Sequence, residues 1–158
     1  MKRRSTTLPV AALAGVLCLG VWATPALSHH SFAMYDQTKV VTFTGVVTRF
    51  VAQPNHAEIH FVPLGSDRKP MREGDGKFVA WGIELSGAAN VANEGITVKS
   101  FAPGTIFSVN LHPLRDGKNF GSRTGMIYKC PKDTPPAAGK HCNAVEGHTP
   151  HGKGAFRE

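Results

Sequence analysis

The chain has 158 residues, with 18 Lys and Arg against 11 Asp and Glu, and a formal charge of +7. This length suits one domain, and a hydrophobic content of 41% excludes a fully disordered or collagen-like chain. The 17 glycines and 11 prolines favour many turns over long helices.

Residues 1–28 have the pattern of a secretory signal peptide. A basic start is followed by a short apolar run, and Ala26 and Ser28 are small residues at the two positions read at a cleavage site. The run is shorter than the ~20 apolar residues of a membrane span, so we expect cleavage before His29, with an uncleaved anchor as the alternative. Loss of three basic residues lowers the formal charge from +7 to +4. The mature chain is then periplasmic, has no membrane span, and has little reason to bind nucleic acid.

Strand-forming segments alternate with turns along the mature chain. Five strands are predicted, over residues 40–51, 57–62, 78–85, 105–112 and 122–130. Gly45 marks a bulge or a bend in the first strand. Residues 86–95 predict one or two helical turns that begin at Ser86 and stop at Gly95. An extended segment is expected over 96–101.

Five short strands with a helical insert between the third and the fourth predict an all-β fold, a small five-stranded OB-like barrel. Connections of this length allow the sheet to close without a long exposed edge. A small β-sandwich is the alternative. The barrel domain with its leader, His29 to Lys39, would cover residues 29–130, and residues 131–158 would form a flexible tail rich in Pro, Gly and His.

Two cysteines remain after signal cleavage, Cys130 and Cys142. In an oxidising compartment two cysteines most simply form one disulfide. The alternative is a metal site built from both cysteines with His148 and His151. Because that spacing matches no standard zinc signature, we predict the disulfide.

Two motifs stand out in the mature chain, the octet HHSFAMYD over His29–Asp36 and HPLRDG over His112–Gly117. With them the chain resembles an exported bacterial family, domain of unknown function 6152, over roughly residues 29–130. Further matching positions are Thr42–Val47, His56, Ile59, Trp81, Glu84 and Pro103–Thr105. The resemblance implies a periplasmic location and a small β-barrel, and it carries no established activity. The chain departs from the family at Ala52–His56, where the family has Trp-Thr-Asn-Pro-His.

A metal site is predicted at the new N-terminus. If cleavage falls before His29, its α-amine and imidazole belong to one residue and can chelate one ion, because the amine loses its proton readily near neutral pH. A nitrogen-rich set of this kind suits Cu(II). The candidates for a second ligand are His30, His56, His60 and His112. The alternative is that the leader packs on the barrel through its aromatic residues, with the first histidines in solvent.

The end of the fourth strand offers a second candidate site. His112, Arg115 and Asp116 could line the barrel mouth and hold an anion or a metal. The alternative is a simple turn, in which Arg115 pairs with Glu84 or Asp116. Trp81 and Glu84 are three apart on a strand and therefore face opposite sides, with Trp81 expected in the core. Trp81, Glu84, Arg115 and Asp116 are the candidate ligand-binding residues.

Motifs for catalysis are missing from the sequence: it has no Ser-nucleophile motif, no Gly-rich phosphate loop and no helical His-Glu zinc motif. We therefore expect an exported, non-catalytic binding or accessory protein, with copper as its one candidate cofactor. Its partner would be an unidentified periplasmic protein or a small ligand. A metal-free ligand- or partner-binding barrel is the alternative, and a hydrolytic enzyme that uses Glu84 or Asp116 is the least favoured.

Overall fold

The structure, a computed structural model, describes residues 32–158. The predicted signal peptide and both leader histidines, His29 and His30, lie outside the described residues. The strands are β1 (Val41–Val51), β2 (Glu58–Pro63), β3 (Trp81–Glu84), β4 (Ile106–Pro113), β5 (Phe120–Lys129) and β6 (Thr149–His151). The described part of the chain has one α-helix, α1 (Ala88–Asn93), and two 3-10 turns, Phe32–Met34 and Cys142–Ala144.

Strands β1 to β5 form a closed barrel in the order β3-β2-β1-β4-β5. Neighbours in this order are antiparallel, and a parallel pairing of β3 with β5 completes the circle. The helix falls between β3 and β4. The prediction of a five-stranded OB-like barrel is therefore confirmed. The sandwich alternative is wrong, because a sandwich keeps two separate sheets.

Apolar side chains that alternate along the strands fill the barrel. Its fully buried members on the strands are Ile59, Phe61, Ile83, Phe107, Val109, Leu111 and Ile127. A Cβ at Gly45 would lie 2.5 Å from the Phe61 ring, so glycine is what allows that ring to pack against β1. The bulge of β1 lies between Val47 and Arg49. Gly45 therefore marks a close contact, and the predicted bulge at this position is wrong.

The helical insert has six residues, Ala88–Asn93, in agreement with the one or two turns predicted, but it starts differently. Gly87, not Ser86, is the residue that caps α1, and no side chain caps it. Gly95 ends the helical region with φ +77°, as a stop residue should. The segment 96–101 is predicted to be extended, but it forms turns. The hydroxyl oxygens of Thr97 and Ser100 each accept a hydrogen bond from the backbone N–H of the other residue.

The tail after Cys130 is fastened to the barrel. The predicted disulfide between Cys130 and Cys142 is confirmed. Beyond it, β6 pairs antiparallel with β5, with Ile127 opposite His151. The sequence predicted only a flexible extension here. Strand β6 is too short, at three residues, to give a periodic signal in the sequence.

Candidate functional site

Glu84, the last residue of β3, holds two side chains from distant parts of the chain. The Tyr35 hydroxyl donates to Glu84 Oε2 at 3.0 Å, and His56 Nδ1 lies 3.2 Å from Glu84 Oε1. Tyr35 is 2% exposed, while the Glu84 and His56 side chains are 15% and 31% exposed. The cluster is therefore anchored inside the protein and open on the His56 side.

The leader reaches Glu84 because it is bonded along the end of β4. Tyr35 pairs with Leu114 as an isolated β-bridge, and the Asp36 amide donates to the Pro113 carbonyl at 2.8 Å. Burial, and then the negative charge of Glu84, raise the pKa of the Tyr35 phenol. The phenol consequently stays protonated and remains a hydrogen-bond donor to the carboxylate.

A second histidine–carboxylate pair lies beside the first. Glu58 is opposite Glu84 in the β2–β3 register, and His60 Nε2 lies 2.9 Å from Glu58 Oε2. The two imidazoles thus contact separate carboxylates on neighbouring strands. Two glutamates directly opposite each other repel when both are charged, and a histidine beside each one lessens that cost.

Beside Glu84 is an open cleft of about 390 Å³. Three main-chain bonds fix the β1–β2 turn against β3 and α1: Leu85 N–H to Ala57 O, Ala57 N–H to Ser86 O, and Ala88 N–H to Gln53 O. These bonds place one wall of the cleft. The lining residues are Asn55, His56, Glu84, Leu85, Ser86, Gly87, Asn90, Ser122 and Arg123. The Arg123 guanidinium is paired with the Glu94 carboxylate at 2.7 Å.

The three residues of the second predicted site each contact a separate partner. His112 Nδ1 donates to the Lys39 carbonyl at 2.7 Å, and Arg115 Nε donates to the Ala33 carbonyl at 3.0 Å. Asp116 is paired with Lys118 at 2.9 Å, and this hydrogen bond lowers the pKa of the Asp116 carboxyl. Arg115 therefore pairs with neither Glu84 nor Asp116, contrary to the prediction. The predicted Asp-Gly turn is present, with Gly117 at φ +78°.

The predicted residues therefore divide between the cleft and elsewhere. Glu84 and His56 line it. Trp81 is only partly buried and packs against the core beside Phe43, with ring centroids 4.5 Å apart. Within residues 32–158, no group of three or more His, Cys, Asp or Glu side chains is placed to hold a metal ion. A metal site at His56 would need ligands from outside the described residues.

Sequence reasoning missed the polar lining, which comes from Asn55, Ser86, Asn90, Ser122 and Arg123. No motif links these residues, because they meet only in the folded chain. The parallel β3–β5 pairing sets Ser122 opposite Glu84, and the bonds of the β1–β2 turn bring Asn55 to Ser86 and Asn90. The one signal available was Tyr35, an aromatic residue with a polar tip that needs a partner when it is buried.

Fold and site together define a small closed β-barrel with a polar cleft beside its β3 strand. The chain belongs to a family of unknown function, DUF6152, whose family model matches residues 16–124. No curated protein and no solved structure matches the chain. In the described part of the protein, no helix has the length and apolar character needed to cross a membrane.

Proposed function

We propose that this protein is an exported, non-catalytic binding barrel whose small polar ligand occupies the cleft beside Glu84. The observation that carries the proposal is the cleft itself. Its volume of about 390 Å³ lies within the range of small-molecule sites. OB-type barrels also use their β1–β2 loop in ligand binding, and the β1–β2 turn supplies Asn55 and His56 to this cleft.

The lining indicates recognition by hydrogen bonds more than by net charge. Glu84 already has Tyr35 and His56 beside its two oxygens, and Arg123 is paired with Glu94. The remaining polar groups are amides and hydroxyls, which both donate and accept. A ligand that carries hydroxyl or amide groups fits this mixture better than a strongly ionic one.

A binding experiment with matched variants tests the cleft. Amide chemical shifts of Ser86, Asn90 and Ser122 would be followed while neutral sugars, amino acids and small dicarboxylates are added. Glu84→Gln should weaken binding about tenfold or more, because a neutral amide replaces the carboxylate that holds Tyr35 and His56 at the cleft. Glu73→Gln, in the exposed β2–β3 loop, is the control and should leave affinity unchanged.

If no compound shifts these amides, or if both variants bind equally well, the proposed cleft function is wrong. The hydrolytic alternative is tested on the same proteins with ester, glycoside and phosphate substrates. Turnover that disappears in Glu84→Gln and survives in Glu73→Gln would replace the binding function by an enzymatic one.

Export is the second part of the proposal. It is supported by the signal-like residues 1–28 and by the disulfide, a bond that persists in oxidising compartments such as the periplasm. Mass spectrometry of the protein recovered from the periplasm should give a chain that begins at His29. A chain that stays in the cytoplasm, or one that keeps residue 1, would contradict this.

Copper binding is a second candidate function, favoured by the position of Tyr35. Tyr35 touches Glu84 beside His56, and His29 is six residues earlier in the chain. Six extended residues span at most about 22 Å, so the α-amine and the imidazole of His29 are within reach of His56. Together they would supply the three nitrogens that suit Cu(II).

The copper proposal is tested by calorimetric titration of Cu(II) into mature protein that begins at His29. One extra N-terminal residue should lower the affinity, since it converts the amine to an amide. His56→Ala should lower it too, whereas His112→Ala, whose imidazole lies on the Lys39 carbonyl, should not. Equal affinities for the native and the extended N-terminus would rule the site out and leave the metal-free binding barrel.

A further inference from the structure

The outer side of β1, β4 and β5 carries a row of polar side chains, three of them buried and two partly buried. We call this surface the outer polar face; it consists of Thr42, Thr44, Ser108, Asn110 and Tyr128. Thr42 is opposite Asn110 and Thr44 is opposite Ser108 in the β1–β4 register. Although these side chains point away from the core, Thr44, Ser108 and Asn110 are only 6%, 0% and 1% exposed. The C-terminal tail is what covers them.

The outer polar face holds the tail mainly through the tail's main chain. The Thr42 hydroxyl and the Asn110 amide both donate to the Arg157 carbonyl, at 3.1 and 3.0 Å. The Cys142 N–H donates to Ser108 Oγ at 2.8 Å. Contacts of this kind depend on a peptide backbone being present and are largely independent of its sequence.

Arg68, in the β2–β3 loop, extends the same pattern beyond the sheet. Its guanidinium donates to three main-chain carbonyls of the tail, those of Pro136, Ala137 and Lys140. Side chains of the tail also take part: Thr44 Oγ1 lies 2.9 Å from His141 Nδ1, and the His148 and Phe156 rings pack on the Tyr128 ring with centroids 5.2 and 5.1 Å apart. The barrel therefore contacts the tail's backbone together with these three ring side chains.

The tail leaves one buried group of this surface unsatisfied. Asn110 Oδ1 has no hydrogen-bond partner within the described residues, although the side chain is almost fully buried. A carboxamide offers one acceptor and two donors, and the tail uses only a donor, through the Arg157 carbonyl. A peptide segment that brought an N–H as well as a C=O to Asn110 would satisfy both sides of it. Buried polar atoms without partners are uncommon, and this one points to an occupant other than the tail.

The outer polar face and the tail that covers it also differ in how far the family match includes them. The family match ends at residue 124, so Thr42, Arg68 and Asn110 lie within the matched region. The tail residues that they bind lie beyond it. Apart from Tyr128, the surface is thus within the matched region, whereas its occupant lies beyond it.

We infer that the outer polar face, together with Arg68, is a peptide-binding surface that the protein's own tail occupies. Its external partner is an extended peptide segment with an aromatic side chain at the place of Phe156. Asn110, Thr42 and Arg68 bind the main chain of that segment. The surface is separate from the cleft at Glu84 and does not depend on the function proposed for it.

The test uses a full chain in which a specific protease site is inserted after Asp133, in an exposed stretch of the tail. After cleavage, the Cys130–Cys142 disulfide is the only covalent link between residues 134–158 and the barrel. Reduction breaks this link and allows the tail to be separated. A fluorescent peptide of residues 134–158 with Cys142→Ser is then titrated onto the reduced, nicked barrel. Trp81 fluorescence reports whether the barrel remains folded.

The labelled peptide should bind saturably to the folded barrel. A peptide with shuffled sequence that keeps His141, His148 and Phe156 in place should bind within about threefold of it, because the remaining bonds go to the backbone. Arg68→Ala should weaken binding about tenfold or more, since three bonds from a charged donor are lost. Arg49→Ala, on an exposed arginine at the other end of β1, is the control and should leave the affinity unchanged.

Three outcomes would overturn the inference. In the first, the barrel unfolds when the tail is released, which would make the tail part of the folding unit. In the second, the barrel stays folded and binds no peptide. In the third, the native peptide binds and the shuffled one does not, which would show a surface specific to the tail.

Discussion

A buried hydroxyl ties the leader to the barrel at a single carboxylate. The Tyr35 ring is fully enclosed, and its hydroxyl reaches Glu84 at the end of β3. Because Glu84 also contacts His56, this one side chain links the leader, β3 and the β1–β2 turn. Loss of the phenolic hydroxyl should therefore be felt in stability and at the cleft.

Tyr35→Phe should lower the free energy of unfolding by about 1–2 kcal/mol, because it removes a hydrogen bond to a charged acceptor in a buried place. Tyr128→Phe is the matched control. Its hydroxyl donates to the Met126 sulfur at 3.6 Å, a weak acceptor, so the loss should be below about 0.5 kcal/mol. Urea denaturation of both variants measures the difference, and equal losses would contradict the role given to Tyr35.

Two tail histidines make stability depend on pH. Burial lowers the pKa of His141 and of His151 below the ordinary value near 6.5. Between the lowered value and 6.5 the unfolded chain binds more protons than the folded one, so the free energy of unfolding rises with pH there. Stability should therefore fall when the pH is lowered from 7.5 to 5.5.

Urea midpoints at these two pH values measure the effect. The double variant His141→Gln, His151→Gln should show a smaller difference between them, since neither new side chain titrates. If the difference is the same in the variant, other groups cause the pH dependence and the two histidines do not.

Among the elements, the β1–β2 turn and the start of α1 form the tightest junction at the cleft. A Cβ at Gly87 would lie 2.2 Å from the Pro54 carbonyl oxygen, which is backbone and cannot turn aside. Gly87 has φ −54°, a value open to any residue. Glycine is required at this position because there is no room for a Cβ. The close packing of the β1–β2 turn on α1, which forms one wall of the cleft, depends on that glycine.

Gly87→Ala should cost about 1–3 kcal/mol of unfolding free energy, as overpacking does, and should weaken ligand binding in the cleft. Gly74→Ala, in the β2–β3 loop, is the control, because a Cβ there meets no atom within 4 Å. Its effect should stay within about 0.5 kcal/mol. Thermal unfolding of the two variants decides, and a Gly87→Ala protein as stable as the control would refute the close contact.

Local patterns in the sequence predicted the secondary-structure elements well. They failed for contacts that depend on how distant segments are arranged in three dimensions. β-Branched and aromatic runs identified all five barrel strands, including the β1 segment Val41–Val51. Glu84 and His56 were named as candidates, but their contact depends on the turn that folds His56 back onto β3. Arg115 was assigned to Glu84 or Asp116, whereas the leader backbone accepts its hydrogen bond. Pairings between distant segments leave no periodic signal in the sequence.

At the scale of the whole molecule, the disulfide joins two layers, the barrel and the tail that covers its outer polar face. It closes a short loop of the chain, with the two cysteines 12 residues apart. Restricting the unfolded chain in this way contributes about 2–3 kcal/mol in the chain-entropy account. The barrel strands themselves are held by their own pairings.

The double variant Cys130→Ser, Cys142→Ser should therefore lose about 2–3 kcal/mol of unfolding free energy and still fold. Its tail amides, from Lys132 to His151, should exchange with solvent faster than those of β1 and β4. Guanidinium denaturation and hydrogen exchange measure the two effects. Uniformly faster exchange across barrel and tail would contradict a tail held as a separate layer.

The chain is synthesised from its N-terminus, so the barrel can close only after β5 has been made and has paired in parallel with β3. Until Phe120–Ser122 have joined β3, a growing chain exposes unpaired strand edges, which are templates for association with other chains. Fragments that stop between β4 and β5 should therefore aggregate, even though they contain most of the apolar core. Holding nascent chains apart until β5 arrives is then a requirement for a good yield of native protein.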